Sequence, residues 1–448
     1  MISGKLQSKN SQAMFEKAKR VIPSGVNSTA RSTWSGWEPY PLFVDHGTGS
    51  HLVDVDGNEF IDYLLGLGPM LFGHRPQAIT HAVTEFIQNR GTIFALPVAE
   101  EAQVAAKIVR AVPSVEQVHL TNTGTEAVLY AVRLARAFTG RPKLIRFEGM
   151  YHGFSDSVYW SKHPALEQAG PDDGPIPVPQ GPGMPSRLEE SLIILQWNDV
   201  AALERAIEDC GDEIAAVITE PVMLNTGCIL PEPGYLEKMR QLTEQRGILL
   251  IFDEVITGFR LSLAGAQGLF NVRPDLSVFA KGFGGGFPVA ALGGRKDVMK
   301  LVDNGTVSMA GTYCANGIAI AAANAALDLL EPADAFEPLY ARAERLREGL
   351  QEVLDRARVR AHVVGIGPAF QVWFTPNIVR NYREAVRSSR DDCFRVWWEN
   401  MLARGVLFHP GPFENLFMSF AHTDADVEDT LEAAQGAAEA VAEACGSG

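Results

Sequence analysis

Two stretches, Ile248-Leu-Leu-Ile-Phe-Asp253 and Leu276-Ser-Val-Phe-Ala-Lys281-Gly-Phe-Gly-Gly-Gly-Phe-Pro288, decide the fold. Each begins as a short apolar run and reaches a charged residue where the run ends. Such runs are typical of strands that are covered on both faces of a sheet. Similar runs, separated by amphipathic helical patterns, lie at Gln117–Thr121, Lys143–Phe147, Ile214–Thr219 and Val289–Leu292. This alternation predicts an α/β protein with a mainly parallel sheet.

The parts of the chain outside residues 75–330 have a different pattern. Apolar positions at helical spacing occur in residues 10–22, and Asp56-Gly57 interrupts residues 52–62 as a hairpin turn would. A long Ala-rich helix ends at a domain boundary, Glu331-Pro332. The sequence therefore predicts an N-terminal segment 1–74 that packs with the small domain, a large cofactor-binding domain 75–330, and a small α+β domain 331–448.

Composition and charge restrict the partners of this chain. Of its 448 residues, 46% are hydrophobic and 21% are charged, which is typical of a globular protein with a sizeable core. The net charge of −15 argues against nucleic-acid binding, because phosphate backbones are held by a surplus of Lys and Arg. No membrane segment or signal peptide is expected, since the apolar runs have only strand length. Five scattered cysteines without a CxxC motif favour the cytoplasm.

Lys281 is followed by four glycines within five residues. A lone lysine at a strand end is usually just solvated, but glycines let the backbone approach a bound group closely. A lysine at the carboxyl end of a parallel strand also points towards the crevice where such folds bind ligands. Lys281 is therefore a candidate nucleophile that forms a Schiff base.

Asp253 admits two interpretations. It is either a carboxylate that caps the following turn or an acid placed against a cationic ring nitrogen. Pyridoxal phosphate needs the second kind of partner, since a protonated pyridine ring is the better electron sink. An aspartate and a lysine that each follow a strand fit that cofactor, whereas neither residue is convincing alone.

Three other predicted strand ends carry polar or aromatic residues. Thr123-Gly124-Thr125 opens a helix and is either an ordinary N-cap or a cradle of N–H groups and hydroxyls for a phosphate. Tyr151-His152 follows Lys143–Phe147, and an aromatic ring there either belongs to the core or stacks on a flat cofactor. Glu220, after Ile214–Thr219, is either a cofactor ligand or a capping carboxylate.

In their order, these motifs resemble those of the class III pyridoxal-phosphate aminotransferases, including the glutamate-1-semialdehyde 2,1-aminomutases. The motifs are Gly-Thr-Glu-Ala, Tyr-His-Gly, Glu-Pro, Asp-Glu-Val-Ile-Thr-Gly-Phe-Arg, Ala-Lys-Gly-Phe-Gly-Gly-Gly-Phe-Pro and Ala-Gly-Thr, and the similarity runs from Arg20 to His422. The resemblance implies the type I pyridoxal-phosphate-dependent transferase fold, pyridoxal 5′-phosphate as cofactor, and a homodimer with shared active sites.

The resemblance also implies a role for each matching residue. Lys281 carries the cofactor as a Schiff base, and Asp253 pairs with its pyridine nitrogen. The other implied positions are Val255 and Tyr151 on the two ring faces, Gly124 and Thr125 at the phosphate, Thr312 at the same phosphate from the neighbouring subunit, Arg31 on the substrate carboxylate, and Glu414 beside the active site. We add Thr123, His152 and Glu220 to the cofactor-binding residues. For Arg31, a structural ion pair that ties its arm to the domain is the alternative.

The sequence departs from the aminomutases on the substrate side. Leu67 stands where a pocket tryptophan is expected. The short gating loop of that group is replaced by Ser161–Gly174, and residues 164–185 form a long Pro- and Gly-rich loop of the kind that is usually functional or mobile. The usual Gly-Thr-Leu-Ser-Gly-Asn-Pro has become residues 311–317, Gly-Thr-Tyr-Cys-Ala-Asn-Gly.

These changes favour an aminotransferase that moves an amino group between a carboxylate-bearing donor and a keto acceptor. The alternative is the aminomutase, which returns the amine to a neighbouring carbon of one substrate and gives 5-aminolevulinate. Other enzyme classes fit less well. Gly365-Ile-Gly367 lacks the third glycine of a nicotinamide-binding turn, and the chain has no P-loop motif.

Overall fold

The computed structural model describes residues 6–185 and 187–446. Its strands are β1 Val44–Thr48, β2 His51–Asp54, β3 Glu59–Asp62, β4 Gln117–Thr121, β5 Lys143–Phe147, β6 Leu192–Leu195, β7 Ile214–Thr219, β8 Leu249–Glu254, β9 Leu276–Phe279, β10 Ala290–Gly294, β11 His362–Ile366, β12 Ala369–Trp373, β13 Val406–Leu407 and β14 Leu416–Phe417. Its helices are α1 Lys9–Ala18, α2 Gln77–Asn89, α3 Ala99–Ala111, α4 Gly124–Thr139, α5 Val200–Cys210, α6 Tyr235–Gln245, α7 Gly265–Phe270, α8 Lys296–Asp303, α9 Gly317–Leu330, α10 Glu337–Arg356, α11 Tyr382–Ser388, α12 Asp391–Leu402 and α13 Asp424–Cys445.

Seven strands form the large sheet in the order β4-β10-β9-β8-β7-β5-β6. The strands from β6 to β9 are parallel neighbours, and β10 runs antiparallel to both β4 and β9. Every residue of β7, β8 and β9 is buried, as a parallel sheet covered on both faces requires. The predicted α/β fold with a mainly parallel sheet is confirmed.

The direction of the strands determines where the site forms. Because β4 and β9 are both antiparallel to β10, β4 runs in the same direction as the parallel strands. The carboxyl ends of β4, β5, β7, β8 and β9 therefore share one edge of the sheet, which is where such folds bind ligands. Each predicted cofactor segment except that of Thr312 lies at or just after one of these ends.

Two details of the sheet differ from the sequence prediction. The pattern does not reveal β6, a run of only four residues at the sheet edge, after the Pro- and Gly-rich loop. Strand β10 also extends past the predicted end, Leu292, to Gly294. Glycine normally signals the end of a strand, but here it has a packing role, because a Cβ on Gly293 would lie 2.7 Å from Val115 Cγ2.

The chain divides into two compact units. The larger unit contains Gln77–Phe336 and Val379–Arg387. The smaller unit contains the described residues up to Pro76, Glu337–Ile378 and the residues from Ser388 onwards. Val379–Arg387 lies within the predicted small domain but clusters with the large unit, because Arg383 is buried there in an ion pair described below.

The smaller unit has two small sheets, β1-β2-β3-β13 and β11-β12-β14. The predicted hairpin joins β2 to β3, and Gly57 in its turn has a φ of +84°, which glycine adopts readily. A disulfide between Cys393 and Cys445 links α12 to α13, a pairing that the scattered spacing of the cysteines does not indicate. Among the described residues, no helix has the length and apolarity needed to cross a membrane.

His422 is buried in the smaller unit beside Tyr63, with ring centroids 4.7 Å apart. The backbone N–H of Ser419 donates a hydrogen bond to His422 Nδ1 at 3.1 Å, so this nitrogen must keep its lone pair. Burial lowers the pKa of His422 to about 4, although Asp426 and Asp62 partly oppose the shift. The folded protein therefore holds this ring neutral.

We expect His422 to make the folded state sensitive to acid. In the unfolded chain His422 has the ordinary histidine pKa of about 6.5, whereas in the folded chain its pKa is about 4. Between these two pH values the unfolded chain binds a proton that the folded chain does not bind, so the stability of the folded state falls as the pH falls. Between pH 7 and pH 4.5, wild type should lose about 2–3 kcal/mol more than His422→Asn, whose side-chain carbonyl still accepts from Ser419. Urea unfolding of both proteins at both pH values measures this, and parallel pH profiles would contradict it.

Candidate active site

A cavity of about 200 Å³ opens at the predicted edge of the large sheet. Its wall includes nine of the predicted residues, which are Thr123, Gly124, Thr125, Tyr151, His152, Glu220, Asp253, Val255 and Lys281. Five separate segments of the chain thus converge on one cavity, although they span more than 150 residues of sequence. The cavity lies entirely within the larger unit.

Lys281 stands two residues after the end of β9, in the first position of a short 3-10 turn, Lys281–Gly284. Its φ is +49°, a left-handed conformation that costs a side-chain-bearing residue about 1–2 kcal/mol. Gly285, which follows the turn, also has a positive φ, and a Cβ there would lie 2.5 Å from Ile79 Cδ1. Strained backbone of this kind is found mainly at functional sites, where the surrounding structure holds it in place.

Asp253 lies in β8 and is held through both of its carboxylate oxygens. Oδ2 is 2.7 Å from His152 Nδ1, and Oδ1 accepts the backbone N–H of Val255 at 3.1 Å. Both members of the aspartate–histidine pair are almost completely buried. His152 Nε2 is also buried and has no hydrogen-bond partner within the described part of the chain. The pair is therefore fixed in orientation and shielded from water.

A second buried carboxyl group, that of Glu220, also lines the cavity. Glu220 accepts hydrogen bonds from the N–H groups of Tyr151, Leu224 and Asn225 and from the Asn225 side chain, so it holds Tyr151 in place as a capping carboxylate would. Burial raises the pKa of Glu220. Burial also lowers the pKa of Arg146 to about 9, and the charge of Glu220 opposes that shift.

The N-terminus of α4 also lines the cavity. Thr123 caps the helix, because its Oγ1 accepts the N–H of Glu126 at 3.2 Å and Glu126 accepts the N–H of Thr123 at 3.1 Å. The ordinary N-cap interpretation of Thr123 is thus correct, and it does not exclude the phosphate cradle. The first amides of a helix have no acceptor within the helix, so those of Gly124 and Thr125 are suited to an anion.

The residues of the cavity fit pyridoxal phosphate. Two buried carboxyl groups, Glu220 and Asp253, line the cavity, and the cationic ring of the cofactor would offer Asp253 an opposite charge. Position 124 at the helix end also requires a residue without a side chain, because a Cβ on Gly124 would lie 2.9 Å from Val255 Cγ2. An amine, a carboxylate and helix amides are therefore available for the aldehyde, the ring nitrogen and the phosphate.

Four predicted residues do not line this cavity. Thr312 is exposed in the larger unit. Arg31, Leu67 and Glu414 belong to the smaller unit, so their roles stay predictions. Arg31 lines an apolar cavity of about 380 Å³ together with Trp37 and Phe60. Its guanidinium makes no ion pair with any described residue.

The loop of residues 161–174 (the 161–174 loop) is anchored within the larger unit. The Arg383 side chain is 1% exposed and forms a two-pronged ion pair with Glu148. It also donates to the carbonyls of Ala169 and Gly170 and to the carboxylate of Asp172. The Glu148 carboxylate holds the pKa of Arg383 above its usual value. The loop is therefore fixed to α11 by a buried cation.

Sequence reasoning missed four residues that line the cavity or hold the segments around it. Arg146 had a signal, because a charged residue in the middle of the otherwise apolar run Lys143–Phe147 indicates a buried cation that needs partners. Asn225 lines the cavity and binds Glu220, but nothing in its surroundings in the sequence marks it. Arg383 and Glu148 are 235 residues apart, so their pairing leaves no local pattern.

Comparisons with known proteins agree with this geometry. A family model described as Aminotransferase class-III matches residues 34–434. The glutamate-1-semialdehyde 2,1-aminomutase of Desulfitobacterium hafniense (strain DSM 10664 / DCB-2) is 41% identical over 431 residues, which are 96% of this chain and 98% of that protein. An omega-transaminase from Sphaerobacter thermophilus has a similar crystal structure, with a TM-score of 0.90 and 35% identity over 96% of this chain and 97% of that one. A transaminase with PLP bound has a TM-score of 0.88 and 26% identity over 98% and 100% of the two chains.

Proposed function

Because this chain belongs to the class III aminotransferase family, whose cofactor is pyridoxal 5′-phosphate, we propose that it is an aminotransferase that uses Lys281 as its catalytic amine. It moves an amino group from a carboxylate-bearing donor to a separate keto acceptor. The observation that carries the proposal is the shared cavity of Lys281 and the buried Asp253–His152 pair. An amine beside a carboxylate that is shielded from water is what this chemistry requires.

The cofactor, when bound, supplies an electron sink for negative charge on the carbon that carries the amino group. With the cofactor bound, Lys281 Nζ would hold it at rest and would then move the proton at the substrate carbon. Asp253, which His152 orients, would hold the proton on the ring nitrogen. Val255 and Tyr151 would contact the ring, and Glu220 fixes the Tyr151 backbone.

The phosphate is assigned to the start of α4, through the amides of Gly124 and Thr125. The exposure of Thr312, away from the cavity of its own chain, supports a homodimer in which Thr312 serves the partner's phosphate. On the substrate side, Arg31 binds the carboxylate, and Leu67 and Glu414 shape the pocket. The absence of an ion pair to Arg31 in the described chain supports this assignment.

The aminomutase is the second candidate, and the 41% identity to a glutamate-1-semialdehyde 2,1-aminomutase favours it. An aminomutase must retain its intermediate, which requires a lid that opens and closes over the site. The 161–174 loop stands where that lid is expected, yet Arg383 anchors it through a buried ion pair. This anchoring favours transfer between two separate substrates.

A two-step experiment separates the two candidates. We expect an amino donor such as glutamate, added alone, to convert the bound cofactor from its aldehyde form to its amine form in a single turnover. Absorbance should return to the starting spectrum only after a separate keto acid is added. Rapid conversion of glutamate-1-semialdehyde to 5-aminolevulinate, with no added donor, would instead identify the aminomutase.

A further inference from the structure

The 161–174 loop places one cation beside the cavity. The Nζ of Lys162 lies 5.0 Å from the centroid of the Tyr151 ring, and Tyr151 lines the cavity together with Lys281. Lys162 is half-buried. Lys162 has no carboxylate within 4 Å in the described part of the chain, so its ammonium is available to an anion that enters the cavity.

The backbone on both sides of Lys162 is fixed. Ser161 is fully buried, and its carbonyl accepts the N–H of Gly149 at 3.0 Å while its own N–H donates to Val178 at 2.6 Å. On the other side, His163 Nε2 is 2.9 Å from the carbonyl of Asn225, and its ring stacks on Tyr382. These contacts hold the backbone next to Lys162, while its side chain can still reorient towards the cavity.

The present contact of Lys162 is weaker than the one that a carboxylate would offer. An ammonium over an aromatic face at a partly exposed position is held only weakly. A hydrogen bond between an ammonium and a carboxylate is stronger, because both groups are charged. A carboxylate that enters the cavity would thus bind the Lys162 ammonium more strongly than the Tyr151 ring does.

We propose that Lys162 is a specificity-determining residue that binds an acidic side-chain group of the substrate. The preferred substrates are then dicarboxylic amino and keto acids rather than acids with neutral side chains. This inference rests on the proposed function, because it concerns the substrates of the same cavity. It also assigns a role to the loop that replaces the gating loop of the aminomutases.

Calorimetric titration of the holoenzyme with glutarate and pentanoate tests the proposal. These compounds share a five-carbon chain, carry two carboxylates and one, and contain no amino group that could be transferred. Wild type and Lys162→Arg should bind glutarate about ten-fold more tightly than pentanoate, whereas Lys162→Met should bind the two within about two-fold. Lys300→Ala, on the exposed face of α8, should behave as wild type.

Three results would overturn the proposal. They are equal binding of both acids by wild type, a preference for glutarate that survives in Lys162→Met, and a loss of cofactor affinity in Lys162→Met without a change in that preference. The last result would assign Lys162 to the cofactor phosphate. The titration does not depend on amino transfer, so failure of the proposed function would appear only in the two-step transfer assay.

Discussion

Lys281→Ala should reduce the rate of amino transfer by at least about a thousand-fold, because one side chain both attaches the cofactor and moves the proton. The strained φ of Lys281 places its amine in the cavity, and no other lysine lines that cavity among the described residues. The variant should also lose the visible absorbance that depends on a covalent bond between cofactor and protein. Steady-state rates and spectra of the reconstituted enzyme measure both effects.

Lys300→Ala is the matched control, since it removes an exposed lysine of the helix α8. We expect its rate and its spectrum to be unchanged. A Lys281→Ala protein with more than a tenth of wild-type activity would show that another amine performs the chemistry.

Arg383→Met should destabilise the larger unit by about 3–5 kcal/mol, the usual cost of leaving a buried charge without its partner. The substitution keeps the apolar stem but leaves the Glu148 carboxylate and the carbonyls of Ala169 and Gly170 without their donor. A shift in the thermal unfolding midpoint measures the effect. Limited proteolysis should also cut the 161–174 loop more readily, since its anchor is lost.

Arg387→Met is a close control for this prediction. Arg387 binds the same Asp172 but is about half exposed, so its loss should cost less than about 1 kcal/mol. Glu148→Gln in the Arg383→Met background should restore part of the stability, because it removes the unpaired charge. Equal effects of the two arginine substitutions would show that the buried pair does not anchor the loop.

The most predictable residues of the site are those whose immediate surroundings in the sequence mark them. Lys281 and Asp253 are recognisable because each follows an apolar strand, and parallel strands bring their carboxyl ends to one edge. The start of α4 could also be predicted from its local sequence, because Thr123 and Glu126 carry the pattern of a capping box. Periodicity and strand direction thus place these strand ends at one edge of the sheet, whereas the role of each residue there came from the family resemblance.

Contacts between distant residues could not be predicted in this way. Arg383 and Glu148 are 235 residues apart, and each looks like an ordinary surface charge in its own segment. The disulfide between Cys393 and Cys445 has no CxxC signature, and the apolar run of β6 directly follows a Pro- and Gly-rich loop. These features depend on tertiary packing, which leaves no local pattern in the sequence.

Reduction of the holoenzyme with borohydride, followed by peptide mapping, should identify the residue that carries the cofactor. Borohydride converts the bond between cofactor and lysine into a stable amine, so the modified peptide contains the attachment residue. We expect one pyridoxyl group per chain, on the peptide that contains Lys281. Labelling of any other lysine, or no labelling of a protein that binds the cofactor, would contradict it.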